Sequence, residues 1–201
     1  MPQHPTYHDG MRRLQDARDT RALADRLEQV TLRRAFTDED REFIQRCSMV
    51  FVATADARGQ PDCSYKGGLP GFVRVLDDHT LVMPDYDGNG MYRSWGNVLA
   101  NPQVGLLFLD FEGSNRLRVN GRASIDEHDP LLGEFEGAVF LIRVHAEGIF
   151  PNCPRYLHKM QLVEHSVYAP RPSYTPPVPA WKSFDMIRDA LPARDRDGER
   201  G

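Results

Sequence analysis

Three short stretches of the chain hold residues able to do chemistry. The first is PDYDGNGMYRSWGN, residues 84–97. It runs from a strand end, through a Gly/Asn loop, into a helix start. Backbone N–H groups at such a start have no intrahelical partner, and the helix dipole stands behind them. Arg93 and Ser94 in the first turn would add a fork of donors and a hydroxyl. Gly88-Asn89-Gly90 lacks the third glycine of a dinucleotide fingerprint and a βαβ setting, and no GxxxxGK[ST] loop exists, so both of those nucleotide motifs are rejected. An anion site remains, against the plainer reading of a capped loop with a surface arginine. The second stretch is Ser64-Tyr65-Lys66-Gly67-Gly68. It sets a hydroxyl, a phenol and an ammonium at a strand end, followed by two glycines that admit close approach. The plainer reading is an exposed edge strand with a protective lysine. In the third, residues 151–159, two prolines brace a loop before Arg155, His158 and Lys159. Cations crowded that closely repel unless an anion or carboxylate sits among them. Cys153 there lacks the base and orienting group of a cysteine hydrolase. With His158 it would give two ligands, too few for a metal site.

The elements that must position these residues follow from periodicity. Residues 11–46 read as helical, with Leu14, Leu23, Leu27 and Val30 at roughly helical spacing. Thr37 marks a second helix start, with Asp38, Glu39 and Asp40 suited to its positive end and Phe43 and Ile44 as its apolar side. Nine Lys/Arg against nine Asp/Glu in residues 1–46 read as solvated helix faces. From residue 48 the character changes. SMVFVATAD is a β-branched run, ARGQP is turn chemistry, and PDCSYKGG is a second strand. GFVRVLDDHTLVMPD makes two more strands around Asp77-Asp78-His79. RSWGNVLANP is a helix, starting near Met91, that stops before Pro102. VGLLFLDFE and LRVNGRASI follow as strands joined by GSN. Next come a short helix (PLLGEFEG) and a last strand (AVFLIRVHAEGIF). Strands in hairpin order with few intervening helices give an antiparallel meander or barrel, not a doubly wound sheet. The expected division is a helical extension over 1–46, a β domain over 47–165 and a tail over 166–201 carrying a short helix. The Pro-rich VYAPRPSYTPPVPAW should run extended along the surface, with the final ten residues frayed.

Composition narrows the function classes. The 201 residues are 40% hydrophobic and 27% charged, which excludes wholesale disorder. A net charge of -4 argues against a nucleic-acid coat or a polybasic membrane anchor, though not against a local phosphate pocket. No apolar run approaches the roughly 18 residues that span a bilayer, and the N-terminal stretch has no apolar signal core. Cys47, Cys63 and Cys153 fit neither a metal pattern nor a disulfide framework, so a reducing cytoplasm is expected.

The order of strands and motifs over 48–125 resembles the flavin-binding split barrel of the pyridoxamine 5′-phosphate oxidase-like superfamily. The most specific part is the helix ending in Asn101-Pro102, then an apolar strand, then the Val-Asn-Gly-Arg-Ala strand. The NCPRY segment is typical of the superfamily's flavin-nucleotide-binding branch. The resemblance implies a mainly β, antiparallel split barrel with flanking helices. It also implies a homodimer holding flavin mononucleotide (FMN) between subunits. Carried over by position, Ser64, Tyr65, Lys66 and Gly67 would line the ribityl and phosphate side. Arg93 and Ser94 would hold the phosphate, with Asn97 assisting, and Arg116 or Arg118 would pass near the flavin ring. Arg155, His158 and Lys159 would stand on the substrate side. For the oxidases' closing Arg-x-His element the nearest counterpart is Arg155 and His158, one residue wider apart and in a different context, so FMN binding transfers and vitamin B6 oxidation does not. The implied function is an FMN-dependent oxidoreductase acting on a small organic substrate. The alternatives are a flavin or tetrapyrrole storage protein without turnover, and a bare interaction module.

Overall fold

Strict alternation sets the first hairpin. Along Met49–Ala55 every second side chain, Val50, Val52 and Thr54, is buried, which defines strand β1. The turn at Asp56–Gln60 follows, with Gly59 at φ 82, the left-handed region a glycine enters freely. The chain returns as β2, Pro61–Gly67, paired antiparallel with β1. A two-residue β3 (Arg74–Val75) and β4 (Thr80–Tyr86) flank the Asp77-Asp78-His79 turn. There Asp77 accepts from the His79 N–H at 2.7 Å. Helix α4 (Arg93–Ala100) leads into β5 (Gln103–Asp110), β6 (Asn115–Asp126) and β7 (Ala138–Pro151). A computed structural model of the chain describes residues 6–196.

The seven strands form one antiparallel sheet in the order β2-β1-β5-β6-β7-β4-β3. The protein is thus mainly β, an antiparallel split barrel with flanking helices. One core cluster includes Val50, Val52, Leu81, Leu106, Phe108, Val119, Ile142 and Ile149, each at most 2% exposed. A bulge between Asn120 and Gly121 shifts the long β6/β7 pairing.

Two carboxylates buried outside this core carry partners. Asp129 takes Arg143 in a two-point fork at 2.5 and 2.9 Å, and that bond holds its pKa below the ordinary carboxylate range. Burial pushes Asp40 upward, but the Arg33 fork and the Thr37 N–H outweigh it, so its pKa is also lowered. A depressed folded-state pKa contributes stability that is present above the unfolded value, near ~3.9, and lost as pH falls through the folded value. The urea midpoint should therefore drop below about pH 4. Asp129→Asn should remove part of that drop, and an unchanged acid limb would contradict the assignment.

The N-terminal region differs from the sequence expectation. It holds two helices before Thr37: α1 (Asp9–Ala17) and α2 (Arg21–Thr31), broken at Asp19 with φ 53. Neither buries a residue, and Leu14, Leu23, Leu27 and Val30 are 47–66% exposed. Their helical spacing is real, but the apolar side meets no core among the described residues. Helix α3 (Asp38–Arg46) matches the sequence reading. Thr37 caps it in a reciprocal capping box with Asp40, and Ile44 is fully buried. Between α2 and α3, Arg33 exchanges both backbone hydrogen bonds with Ile149, pinning this segment to β7. The expected helix at PLLGEFEG is a single 3-10 turn, Leu132–Glu134. Helix α4 starts at Arg93 and not near Met91, because Tyr92 adopts a left-handed conformation with φ 47. The tail forms 3-10 turns at Ala180–Ser183 and Arg188–Ala190 and a short helix α5, Ala193–Arg196. The final ten residues are expected to fray, but Ala193–Arg196 are helical, and the remainder of that stretch, residues 197–201, lies outside the described residues.

Candidate functional site

The pairing of β2 with β1 decides which side chains of the second motif act together. Asp62, Ser64 and Lys66 stand opposite Thr54, Val52 and Val50, on the inward face. All three line a cavity of about 280 Å³. Its other wall is the loop after β4 and the first turn of α4, including Asp85, Gly88, Arg93, Ser94 and Trp95. The N-cap residue Tyr92 makes no side-chain cap, so the leading N–H groups of α4 have no side-chain acceptor among the described residues. The loop itself is held by the Asn89 side chain, which accepts from the Met91 N–H at 3.0 Å.

Charge inside the cavity is finely divided. Lys66 places its ammonium 4.6 Å from the centre of the Trp95 ring. Burial lowers the Lys66 pKa, against the raising effect of Asp85 and Asp62. Burial pushes Asp85 above the ordinary carboxylate range, although the Trp95 indole donates to it at 2.5 Å. Asp62 accepts from the Ser94 hydroxyl at 3.0 Å and lies 3.3 Å from the Arg93 guanidinium. Arg93 and Ser94 are therefore held together, facing a carboxylate at the helix start. An ammonium desolvated in this way gains most from an anion brought beside it.

The remaining sequence-predicted residues fall elsewhere. Asn97 donates to the Thr54 hydroxyl at 3.1 Å and ties α4 to β1. Tyr65 points to the opposite face of β2 from Ser64 and Lys66, where it meets Phe51 edge-on at 5.9 Å. Gly67 lets that ring lie close, since a Cβ there would sit 2.8 Å from it. Pairing carries this outer row across the sheet through Phe51, Leu107, Arg118 and Phe150. Arg118 lies 5.9 Å from the Phe150 ring centre, and Arg116 donates to the Cys153 carbonyl at 2.5 Å. Arg155, His158 and Lys159 are exposed beyond β7. None of these five residues lines the cavity. Cys47 is buried, and burial pushes its thiol up to about 12.

Sequence reasoning missed Asp62, Asp85, Trp95 and Arg194. Asp62 was findable, because Asp62-x-Ser64-x-Lys66 has the strand period of two. Asp85 looked like the polar end of an apolar run. Arg194 reaches Asp87 at 3.3 Å from 107 residues away, and no local pattern signals that.

No helix among the described residues is long and apolar enough to cross a membrane. No curated protein matches the chain. Among solved structures, HupZ of Group A Streptococcus is 26% identical, covering 58% of this chain and 93% of its own, with a TM-score of 0.47. A putative pyridoxamine 5′-phosphate oxidase from Lactobacillus delbrueckii is 24% identical, covering 59% and 95%, with a TM-score of 0.48. An FMN-binding protein from Syntrophomonas wolfei is 12% identical, covering 70% and 97%, with a TM-score of 0.42. Residues 36–151, from the strap before α3 to the last residue of β7, match the sequence profile described as pyridoxamine 5′-phosphate oxidase; that is more than half of the chain, which belongs to this family.

Proposed function

We propose that this protein binds FMN in the β2/α4 cavity and uses it as an FMN-dependent oxidoreductase on a small organic substrate. One observation carries the reading. Lys66, Arg93 and Ser94 converge on an uncapped helix start inside one cavity, a donor set suited to a phosphate dianion. Arg93 and Ser94 exchange Asp62 for the phosphate, Lys66 adds a point charge from β2, and Gly88 and Gly90 keep the loop thin. Asn97 supports α4 from behind. A bound flavin supplies the acceptance and return of a hydride.

The primary test is titration of FMN and of riboflavin, which lacks the phosphate. Arg93→Ala should weaken FMN about tenfold, roughly 1.4 kcal/mol, and leave riboflavin nearly unchanged. Equal losses for both ligands would make Arg93 a support of fold or ring, and no loss for either would make it a solvated surface residue. Asp62→Asn should tighten FMN, because it removes a carboxylate from beside the incoming dianion. Bleaching of the bound flavin's yellow colour by NADH or NADPH distinguishes turnover from storage.

The proposed working unit is a homodimer. The outer row through Tyr65, Phe51, Leu107 and Phe150 is half-exposed and partly apolar, and a second copy would cover it. Such an arrangement would bring the partner's Arg116 and Arg118 toward the flavin ring. Light scattering should give twice the chain mass, and Leu107→Arg should halve it. A wild-type monomer with flavin bound would end the dimer proposal.

A further inference from the structure

The Pro-rich tail is docked on the barrel, and the docking is built into both partners. Ala169 and Leu191 are buried. Gly137 has φ 70, and a Cβ there would come within 2.9 Å of Pro170. The barrel thus carries glycine where Pro170 of the tail passes close. Farther on, the Lys182 side chain is only 4% exposed and its ammonium bridges Asp87 at 2.7 Å and Asp195 at 2.9 Å.

Between this docked tail and the sheet lies a second cavity of about 240 Å³. It shares Tyr86 and Asp87 with the first cavity. Three tyrosines (Tyr86, Tyr168 and Tyr174) and four tail prolines line it. Tyr174 is fixed by its hydroxyl, which donates to the Val167 carbonyl at 3.0 Å. From outside the cavity, Arg171 already stacks on the Tyr174 ring at 3.9 Å. The two lining carboxylates differ. Asp87 is occupied by Lys182 and Arg194, whereas no salt bridge reaches exposed Glu136 among the described residues.

We propose that this second cavity binds a small organic molecule that joins a planar aromatic ring to a protonated amine. Tyrosine and proline faces accept a flat ring, electron-rich tyrosine faces favour a cation, and Glu136 pairs with the amine. The volume lies below the roughly 300–1,000 Å³ of drug-sized sites, which limits the ligand to one small ring system. The inference does not rest on the flavin reading, although the shared Tyr86 and Asp87 would place such a ligand beside a bound flavin.

Calorimetric titration of the full chain with tryptamine, and with indole-3-propionate as its ring-matched anion, tests this. Tryptamine should bind about tenfold tighter than the acid, a difference of about 1.4 kcal/mol. Glu136→Gln should weaken tryptamine about threefold, as suits an exposed pair. Tyr174→Ala should weaken it about tenfold and leave FMN titration unchanged. Gly137→Ala, which must push Pro170 away, should abolish tryptamine binding. Equal affinity for amine and acid would overturn the proposal, as would wild-type tryptamine affinity in Tyr174→Ala. Tryptamine binding in protein that fails to take up FMN would sustain it while refuting the flavin reading.

Discussion

Trp95→Ala is expected to cost about 3–5 kcal/mol of stability, the range for deleting a buried aromatic. That is a large share of the roughly 5–15 kcal/mol that holds a domain together. Trp95 is 3% exposed and sits in the main core cluster, so its removal leaves a cavity under α4. It also strips Asp85 of its indole donor and Lys66 of the ring beneath it. Urea unfolding of the variant should show a midpoint well below that of the wild type. Trp95→Phe separates the two contributions. It keeps most of the packing and loses only the N–H, so about 1–3 kcal/mol should go, the cost of leaving a buried polar group unsatisfied. A phenylalanine variant as stable as wild type would mean that Asp85 is satisfied without the indole.

Gly121→Ala should be nearly as damaging, for a different reason. A Cβ at this position would lie 2.1 Å from the His145 carbonyl oxygen. The obstacle is backbone in the neighbouring strand, so no side chain can swing aside. The β6/β7 pairing must open at its bulge, at about 3 kcal/mol, the upper end of ordinary overpacking costs. Gly105→Ala on β5 is the control. Its Cβ would meet Asn120 at 3.5 Å and Ala53 at 3.8 Å, ordinary contact distances. It should change stability by no more than about 1 kcal/mol. Thermal midpoints that fall equally in both variants would show that strand propensity and not the bulge governs position 121.

The sequence made the sheet legible because its strands report their own burial. The alternation in β1 and β6 and the Asn101-Pro102 stop follow from local rules, and the structure agrees with them. The capping box at Thr37 was equally local. The cavity was half legible. Ser64 and Lys66 from one motif and Arg93 and Ser94 from another line the same cavity. Tyr65 was grouped with them by adjacency, and the pleat sends neighbours to opposite faces. Asp85 and Trp95 were hidden because both look like core, and their hydrogen bond joins a strand end to a helix first turn. The tail was least legible. The contact of Pro170 with Gly137 and the Lys182 bridge to Asp87 join segments far apart in sequence. No periodicity encodes such a meeting.

The strand order also sets a schedule for synthesis on the ribosome. β4 pairs with β7 and, apart from the two residues of β3, has no other strand partner among the described residues. Met83 stands opposite Ile142, and Leu81 opposite Val144. β1, β2, β5 and β6 can assemble as soon as residue 126 has emerged. β4, with five of its seven residues destined for burial, must then wait for β7. At about 5–20 residues per second, the separation of Met83 from its partner amounts to several seconds of translation. Throughout that interval the nascent chain carries an apolar strand with an open edge, a natural substrate for chaperones.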